Sequence, residues 1–289
     1  MTLHAPSYAG GFASPERGLI DRSLWDGVVG AWCPSLGATG LTVRDHSGRG
    51  NHGTVTGMTA AEAWADPAGM TFDGVDDYVE VAASDSLDIT GEITMSCWVK
   101  SAAAPSGLNE GIVGKYRNQS PDTNRRAYEL FSANTSGYLG ISLSNNGGYK
   151  ADGTLTSTTV ITDGSWHHVV GTFSPSNYMR LHVDGVLVAE DTTAILASIA
   201  SNSTPVWIGT HFDLSNPNAY FGGSIDDVII YSRALPASSV ADLYRLGPGG
   251  IYRRQQHNVK APAAGRINSL IGVGGGMIGQ GGGIIGRGY

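Results

Sequence analysis

The chain is short of cysteine and of charged residues. Its 289 residues include two cysteines, Cys33 and Cys97, and charged residues make up 15% of it. Both cysteines lie in strand-like runs, which predicts two buried free thiols, although a single disulfide is also possible. Two distant cysteines without clustered histidines give no zinc-ligand spacing, so the sequence predicts no structural zinc site.

Long apolar runs are also missing. No stretch of about eighteen apolar residues occurs, which predicts that no transmembrane helix is present and that the chain does not insert into a membrane. The first residues lack a basic region followed by an apolar one, so we expect no secretory signal peptide.

The common catalytic and phosphate-binding motifs are absent as well. There is no Gly-x-Ser-x-Gly motif, and the glycine-rich segment near the end lacks the Gly-Lys-Ser of a phosphate loop. His167 and His168 are adjacent, so on a strand they point to opposite faces and cannot act on one substrate atom together. The sequence therefore predicts a protein that is not an enzyme.

Short strand-like runs separated by turn signals are abundant. Glycine accounts for 42 residues and hydrophobic residues for 41% of the chain. The runs include Ile93–Lys100, Trp166–Phe173 and Ile225–Ser232, with no helices between them, which is typical of an antiparallel sandwich. Alternation over 179–183 followed by Asp184-Gly185 predicts a two-residue β-hairpin. One short helix is expected over 236–245, ended by Gly247-Pro248.

Charge is distributed unevenly along the chain. The net charge is −7, yet residues 243–289 contain no carboxylate and six basic residues, so they carry +6 and the remainder carries −13. Within that basic segment, Gly274–Gln280 and Gly281–Arg287 form a short tandem repeat of glycine with Met or Ile. We expect a tail that docks on its own body or on a neighbour, rather than a nucleic-acid-binding segment, because the six charges are dispersed.

Several blocks together resemble laminin-G-like, concanavalin A-like jelly-roll domains. They are Phe72–Val81, Ile93–Lys100, Trp166–Val170, Leu181–Gly185 and Phe221–Leu235, in the family's order. The resemblance implies an all-β antiparallel jelly-roll sandwich over residues 25–246. The N-terminal arm would then be residues 1–24, and the glycine-rich basic tail residues 247–289.

The resemblance implies a choice of functions, because the family includes glycan-binding modules, adhesion domains and structural spacers. Its glucanase members need a pair of carboxylates a few residues apart on one strand, and no such pair occurs here. Related domains often hold Ca²⁺, for which the family motifs offer Asp73 and Asp226 as oxygen ligands. Otherwise no cofactor is expected. The alternative is that both side chains stabilise local backbone.

A glycan site would need aromatic rings beside polar side chains. Candidates in apparent loops are Tyr116, Tyr149, His211, Phe212, Asn216 and Tyr220.

The layout of arm, jelly roll and basic tail also resembles that of phage virion proteins. This predicts a structural role in the virion, as a capsid decoration or fibre component, with copies of itself and other virion proteins as partners. The predicted assembly residues are Arg253, Arg254, Met277, Ile278, Ile284, Ile285 and Tyr289. The alternative function is a free-standing carbohydrate-binding or adhesion module that recognises surface glycans, with or without Ca²⁺.

Overall fold

The fold was analysed in a computed structural model. It describes residues 22–36, 39–66, 68–102, 109–118, 125–133, 136–148, 153–213 and 219–252. Most of the two predicted terminal segments, and with them all the predicted assembly residues, lie outside these ranges.

Sixteen strands and two complete α-helices are present in the described residues, which end in a further helical segment at 250–252. The strands are β1 Val28–Trp32, β2 Thr42–Val43, β3 Gly53–Thr56, β4 Met70–Asp73, β5 Tyr78–Val81, β6 Ile93–Lys100, β7 Glu110–Asn118, β8 Arg126–Ala133, β9 Tyr138–Leu143, β10 Thr154–Val160, β11 Trp166–Ser174, β12 Tyr178–Val183, β13 Val186–Asp191, β14 Val206–Ile208, β15 Phe212–Asp213 and β16 Gly222–Tyr231. The helices are α1 Ala60–Ala63 and α2 Ala237–Leu246, and three short 3-10 helices span Arg22–Trp25, Pro34–Leu36 and Asp85–Leu87.

The strands form two stacked sheets. One has seven strands in the order β1-β16-β6-β11-β12-β13, with β4 also paired to β16. The other has nine strands in the order β10-β9-β8-β7-β14-β5-β3-β2, with β15 paired to β7. Apart from the parallel β15–β7 contact the pairings are antiparallel, which confirms the predicted jelly-roll sandwich.

The main core lies between the sheets. On each strand the residues that alternate inward are apolar, as with Val79 and Val81 on β5 or Met179, Leu181 and Val183 on β12. Both cysteines are buried and free, as the sequence predicted. No helix in the described ranges is long and apolar enough to span a membrane.

Local signals explain one hairpin turn and two helices. The predicted hairpin joins β12 to β13, and both turn residues have positive φ, 51° for Asp184 and 78° for Gly185, as a primed two-residue turn requires. The predicted C-terminal helix is α2. The sequence did not predict α1, which has only four residues and begins at a capping box between Thr59 and Glu62.

A second apolar cluster covers the outer side of the seven-stranded sheet. There α2 packs with Val240 and Leu243 against Val170, Ile229 and the start of the described chain. The chain continues beyond the helix, and Ile251 and Tyr252 are buried in the same cluster, 4% and 5% exposed.

Candidate functional site

Polar residues form a row across the outer side of the nine-stranded sheet. Cross-strand pairing aligns Thr54, Glu80, Trp207, Gly114, Glu129, Ser142 and Thr154. Their neighbours along the strands, such as Tyr128 and Leu130 beside Glu129, belong to the main core. Because side chains alternate across a strand, the row itself faces away from that core.

A compact group of side chains, the Tyr116 cluster, is built around this row. It comprises Tyr116, Arg126, Glu129, Ser142 and His211. Glu129 is 3% exposed, and its Oε1 lies 2.9 Å from His211 Nδ1. The His211 ring meets the Tyr116 ring edge to face, with centroids 6.2 Å apart.

The remaining two members hold the Tyr116 ring from other sides. The Arg126 guanidinium carbon is 5.5 Å from the ring centroid, within the range of a cation–π contact. Ser142 Oγ lies 3.4 Å from the tyrosine hydroxyl, and Thr154 Oγ1 is 3.2 Å from Ser142 Oγ. The cluster therefore combines an aromatic ring with a carboxylate, a guanidinium, an imidazole and hydroxyls.

His211 reaches the cluster because the chain after β14 runs directly over β7. The Gly209 N–H donates to the Ile112 carbonyl at 2.9 Å, and β15 then pairs with Arg117 and Asn118. A Cβ on Gly111 would collide with the backbone of Thr210 and His211. Glycine at this position is thus what allows the close approach.

Glu80 and Trp207 form a second polar contact in the same row. The indole Nε1 donates to Glu80 Oε2 at 3.1 Å, and the Trp207 side chain is buried. Three strand spacings separate Glu80 from Glu129, which places their Cα atoms about 14 Å apart at roughly 4.8 Å per strand.

The structure brings together part of the predicted glycan set. Tyr116 and His211 are neighbours, but Tyr116 lies inside β7 and is 7% exposed, not in an open loop as predicted. A short β-strand was unexpected at Phe212, which lies in β15; its side chain is outside the described part, as are Tyr149 and Asn216. Tyr220 lies elsewhere, with its ring 6.4 Å from that of Tyr78, and burial raises the pKa of its hydroxyl.

Asp73 belongs to a separate acidic group at the edge of the sandwich. Ligand oxygens of Asp73, Asp76 and Asp77 lie within 4.8 Å of one another. Burial and the neighbouring carboxylates of Asp73 and Asp76 raise the pKa of the Asp77 carboxyl. Such oxygens are the ligands that Ca²⁺ prefers. Asp73 Oδ1 also accepts from the Val75 N–H at 2.7 Å, so this side chain stabilises its own turn.

The acidic group borders a pocket of about 550 Å³. It is lined by Gly57, Met58, Glu62, Ala65, Asp66, Thr71, Asp73 and Asp77. The carboxylates give this pocket a negative character.

Asp226, the second predicted calcium ligand, is not part of that pocket. It is fully buried on the outer side of the seven-stranded sheet, where its Oδ1 accepts from the Ser35 N–H at 3.1 Å. Asp73 pairs with Gly222, four residues before Asp226, which separates the two aspartates by about 13 Å along β16. One Ca²⁺ ion cannot bind both, and the sequence motifs gave no distance between them.

Sequence reasoning missed the polar partners of Tyr116. No sequence motif marks Glu129, which has no second carboxylate within a few residues. The available signal was a charged residue within the otherwise apolar run Ala127–Phe131. The contact with His211, 82 residues further along, requires the sheet pairing and could not be read locally.

These features belong to a known fold family. Residues 73–241, more than half of the chain, match the model of the concanavalin A-like lectin/glucanases superfamily, and the chain is a member of it. The comparison with curated protein sequences gives no match.

Solved structures with the same fold are distant in sequence. The ligand-binding domain of botulinum neurotoxin serotype D, solved with N-acetylneuraminic acid, is 16% identical with a TM-score of 0.56, covering 77% of this chain and 51% of that one. Domain 4 of AbnA, an arabinanase of Geobacillus stearothermophilus solved with arabinotriose, is 18% identical with a TM-score of 0.53. The match covers 75% of this chain and 98% of that one.

Trypanosoma rangeli sialidase, solved with sialic acid, is 18% identical with a TM-score of 0.54. The match covers 75% of this chain and 32% of the sialidase. This chain spans about half the length of the first solved structures that it matches. At these identities the likeness establishes the fold, which other chains use in binding domains.

Proposed function

We propose that this protein is a non-catalytic carbohydrate-binding module and that the Tyr116 cluster is its binding surface. The observation that carries the proposal is the pair formed by the buried Glu129 and the 12% exposed His211, on the side of the sheet that faces away from the core. A buried polar pair of this kind contributes less to stability than apolar residues of similar size, so its presence favours a role in binding.

The chemistry of the cluster suits a sugar. Carboxylate, guanidinium and hydroxyl groups supply the donors and acceptors that bind sugar hydroxyls, and the tyrosine ring supplies an apolar surface for the C–H groups. Three of the similar structures were solved with carbohydrates, two of them with N-acetylneuraminic or sialic acid and one with arabinotriose. We take these two carbohydrate classes as the first ligands to test.

Carboxylate spacing supports binding rather than hydrolysis. Glycosidases hold their two carboxyl groups about 5 to 9.5 Å apart. Glu80 and Glu129, which share the outer row, are separated by about 14 Å at their Cα atoms. Their carboxylates also have separate partners, the Trp207 indole for Glu80 and the His211 ring for Glu129, and are not paired with each other as an acid and a nucleophile.

A glycan array followed by calorimetry tests the proposal. The wild-type chain should bind at least one glycan, and Tyr116→Ala and Glu129→Gln should each weaken binding about tenfold or more. Tyr178→Ala is a matched control, because Tyr178 also lies against an arginine, with Arg180 at 3.8 Å, but on the outer side of the other sheet. A blank array, or equal losses in all three variants, would overturn the proposal.

The same array with a chelator tests the calcium prediction. We propose the group Asp73, Asp76 and Asp77 as the Ca²⁺ site, without Asp226. Binding that is lost in chelator and restored by Ca²⁺, but not in Asp76→Asn, would support this. Glycan binding that is unaffected by the chelator would show that recognition does not require Ca²⁺.

We also propose, as a second role, that the module is a structural virion component attached through its terminal segments. The burial of Ile251 and Tyr252 favours this, because it shows that the chain after α2 packs on the sandwich. Chromatography of the full chain against a chain ending at Tyr252 tests it. A cut at Gly247 would remove core residues and is unsuitable. If both proteins elute as monomers, attachment through the C-terminal segment is contradicted.

A further inference from the structure

The chain after α2 turns back and inserts into the apolar cluster on the outer side of the seven-stranded sheet. Gly247 and Gly249 have φ of 68° and 65°, which L-residues with side chains rarely adopt, and they redirect the chain. The Gly249 N–H donates to Asp227 Oδ2 at 3.2 Å. The next residues, Ile251 and Tyr252, are buried.

Tyr252 joins three separate parts of the chain. Its ring meets that of Trp25 edge to face at 5.6 Å, and that of His46 at 5.2 Å. Trp25 ends the 3-10 helix with which the described chain begins, and Leu24 is buried in the same cluster. Residues 1–21 and residues 253–289 are therefore attached at neighbouring points of one face.

Asp227 is held at some cost in stability. It lies at an irregularity of β16, where the register with β6 shifts between Asp226 and Ile229, and it has a φ of 52°. Asp227 is 6% exposed, and the adjacent Asp226 is fully buried. A buried carboxylate and a positive φ at a residue other than glycine are both unfavourable. Here the Asp227 carboxylate positions the segment starting at Gly249, whose N–H donates to it.

The place of attachment is opposite the Tyr116 cluster. Asp226 follows the inward Ile225 on β16 and lies with Tyr252 on the outer side of the seven-stranded sheet. Glu129 and Ser142 lie on the outer side of the nine-stranded sheet. The sandwich separates the two surfaces.

Charge indicates what the C-terminal segment meets. Residues 253–289 contain Arg253, Arg254, Lys260, Arg266 and Arg287 and no carboxylate. The rest of the chain has 13 basic and 25 acidic residues. Opposite charges of this size favour association, and salt screens the attraction.

We propose that Asp227, Trp25 and Tyr252 form a latch that fixes both terminal segments on the face opposite the Tyr116 cluster, and that residues 253–289 bind the acidic body of a second copy of this chain. The inference rests on the proposed attachment through the terminal segments. It adds the position of the attachment, the residue that sets it and the identity of the partner. Binding to the chain's own body is the rival, and it differs by being independent of concentration.

Trypsin reports on the latch, because Arg253 and Arg254 follow Tyr252 directly. Asp227→Ala should speed cleavage at these residues about tenfold, since it removes the acceptor of the Gly249 N–H. Asp227→Asn keeps an acceptor oxygen, so trypsin should cleave this variant at nearly the wild-type rate. Cleavage at Arg245, inside α2, shows whether the sandwich itself has opened. Equal rates at Arg253 in all three proteins, or an equal rise at Arg245, would overturn the latch.

Sedimentation velocity of the full chain reports on the partner. At about 50 mM salt it should associate with rising concentration, and at about 500 mM salt it should dissociate to monomer. The chain ending at Tyr252 should be monomeric in both. A full chain that stays monomeric at low salt would overturn the second-copy partner. The wider virion role would fail separately, as an inability of the associating chain to join other virion proteins.

Discussion

The outer sides of the two sheets differ in what covers them. On the seven-stranded sheet, α2 and the residues up to Tyr252 pack on an apolar surface that includes Val170, Ile229 and Tyr231. On the nine-stranded sheet, the corresponding side carries the polar row and the Tyr116 cluster. Both sheets use the same alternation, so the difference lies in the residues that alternate outward.

Because of that difference, the two sides have different roles. An apolar outer side has to be covered, and here the chain covers it with its own C-terminal helix and extension. A polar outer side instead carries groups that can form hydrogen bonds with a ligand. The comparison predicts that changes under α2 alter stability, whereas changes in the Tyr116 cluster alter binding.

Acidification should cause the largest change in stability, and it should act on the side of the sandwich that α2 covers. Burial lowers the pKa of His168 to about 3 and that of His182 to about 4. Both are buried on the outer side of the seven-stranded sheet, and His168 stacks on Tyr244 of α2. Because their pKa values are depressed, stability present above about pH 6.5 is lost as the pH falls toward 4, by about 5 kcal/mol in total.

Urea unfolding at pH 7 and pH 4 measures this loss. The variant His182→Gln has one titrating ring fewer and should lose less stability over the same interval. Equal losses in the variant and the wild type would show that His182 does not contribute.

Truncating the helix contact should have the next largest effect. Leu243→Ala removes a side chain that is 5% exposed between α2 and the sheet, at a cost of about 2 to 4 kcal/mol in the free energy of unfolding. Leu187→Ala is the matched control, because Leu187 is 45% exposed and should change stability by less than about 0.5 kcal/mol. Similar losses at the two positions would contradict the covering role of α2.

Replacing a buried carboxylate should give the smallest effect, and a stabilising one. Burial raises the pKa of Asp226, so its contribution is most favourable below the ordinary aspartate value near pH 4 and is lost as the pH rises through the raised value. Asp226→Asn should therefore stabilise the protein at pH 7, and the gain should vanish near pH 3. A lower thermal midpoint for the variant at pH 7 would contradict this reasoning.

Much of the fold could be predicted from local signals. Alternation over 179–183 located β12, and the dipeptide Asp184-Gly185 located the hairpin, because pleat and turn geometry are decided by neighbouring residues. The sequence pattern also located α2. The four-residue α1 could not be recognised, since one capping box is too short a pattern to distinguish from a turn.

The candidate site could be predicted only in part. Tyr116 and His211 were chosen as aromatic residues, but their shared partner Glu129 comes from strand pairing between distant segments. The same limitation explains the choice of Asp73 and Asp226 as ligands of one ion: each family motif supplies an aspartate, and neither gives the spacing along β16.

Hydrogen exchange of the full chain with and without its glycan tests the division between the two sides most directly. The account predicts that the glycan found by the array slows exchange in β7, β8 and residues 207–213, while β11, β16 and residues 237–252 remain unchanged. Slower exchange confined to β11, β16 or α2 would place the ligand on the covered side and contradict the account.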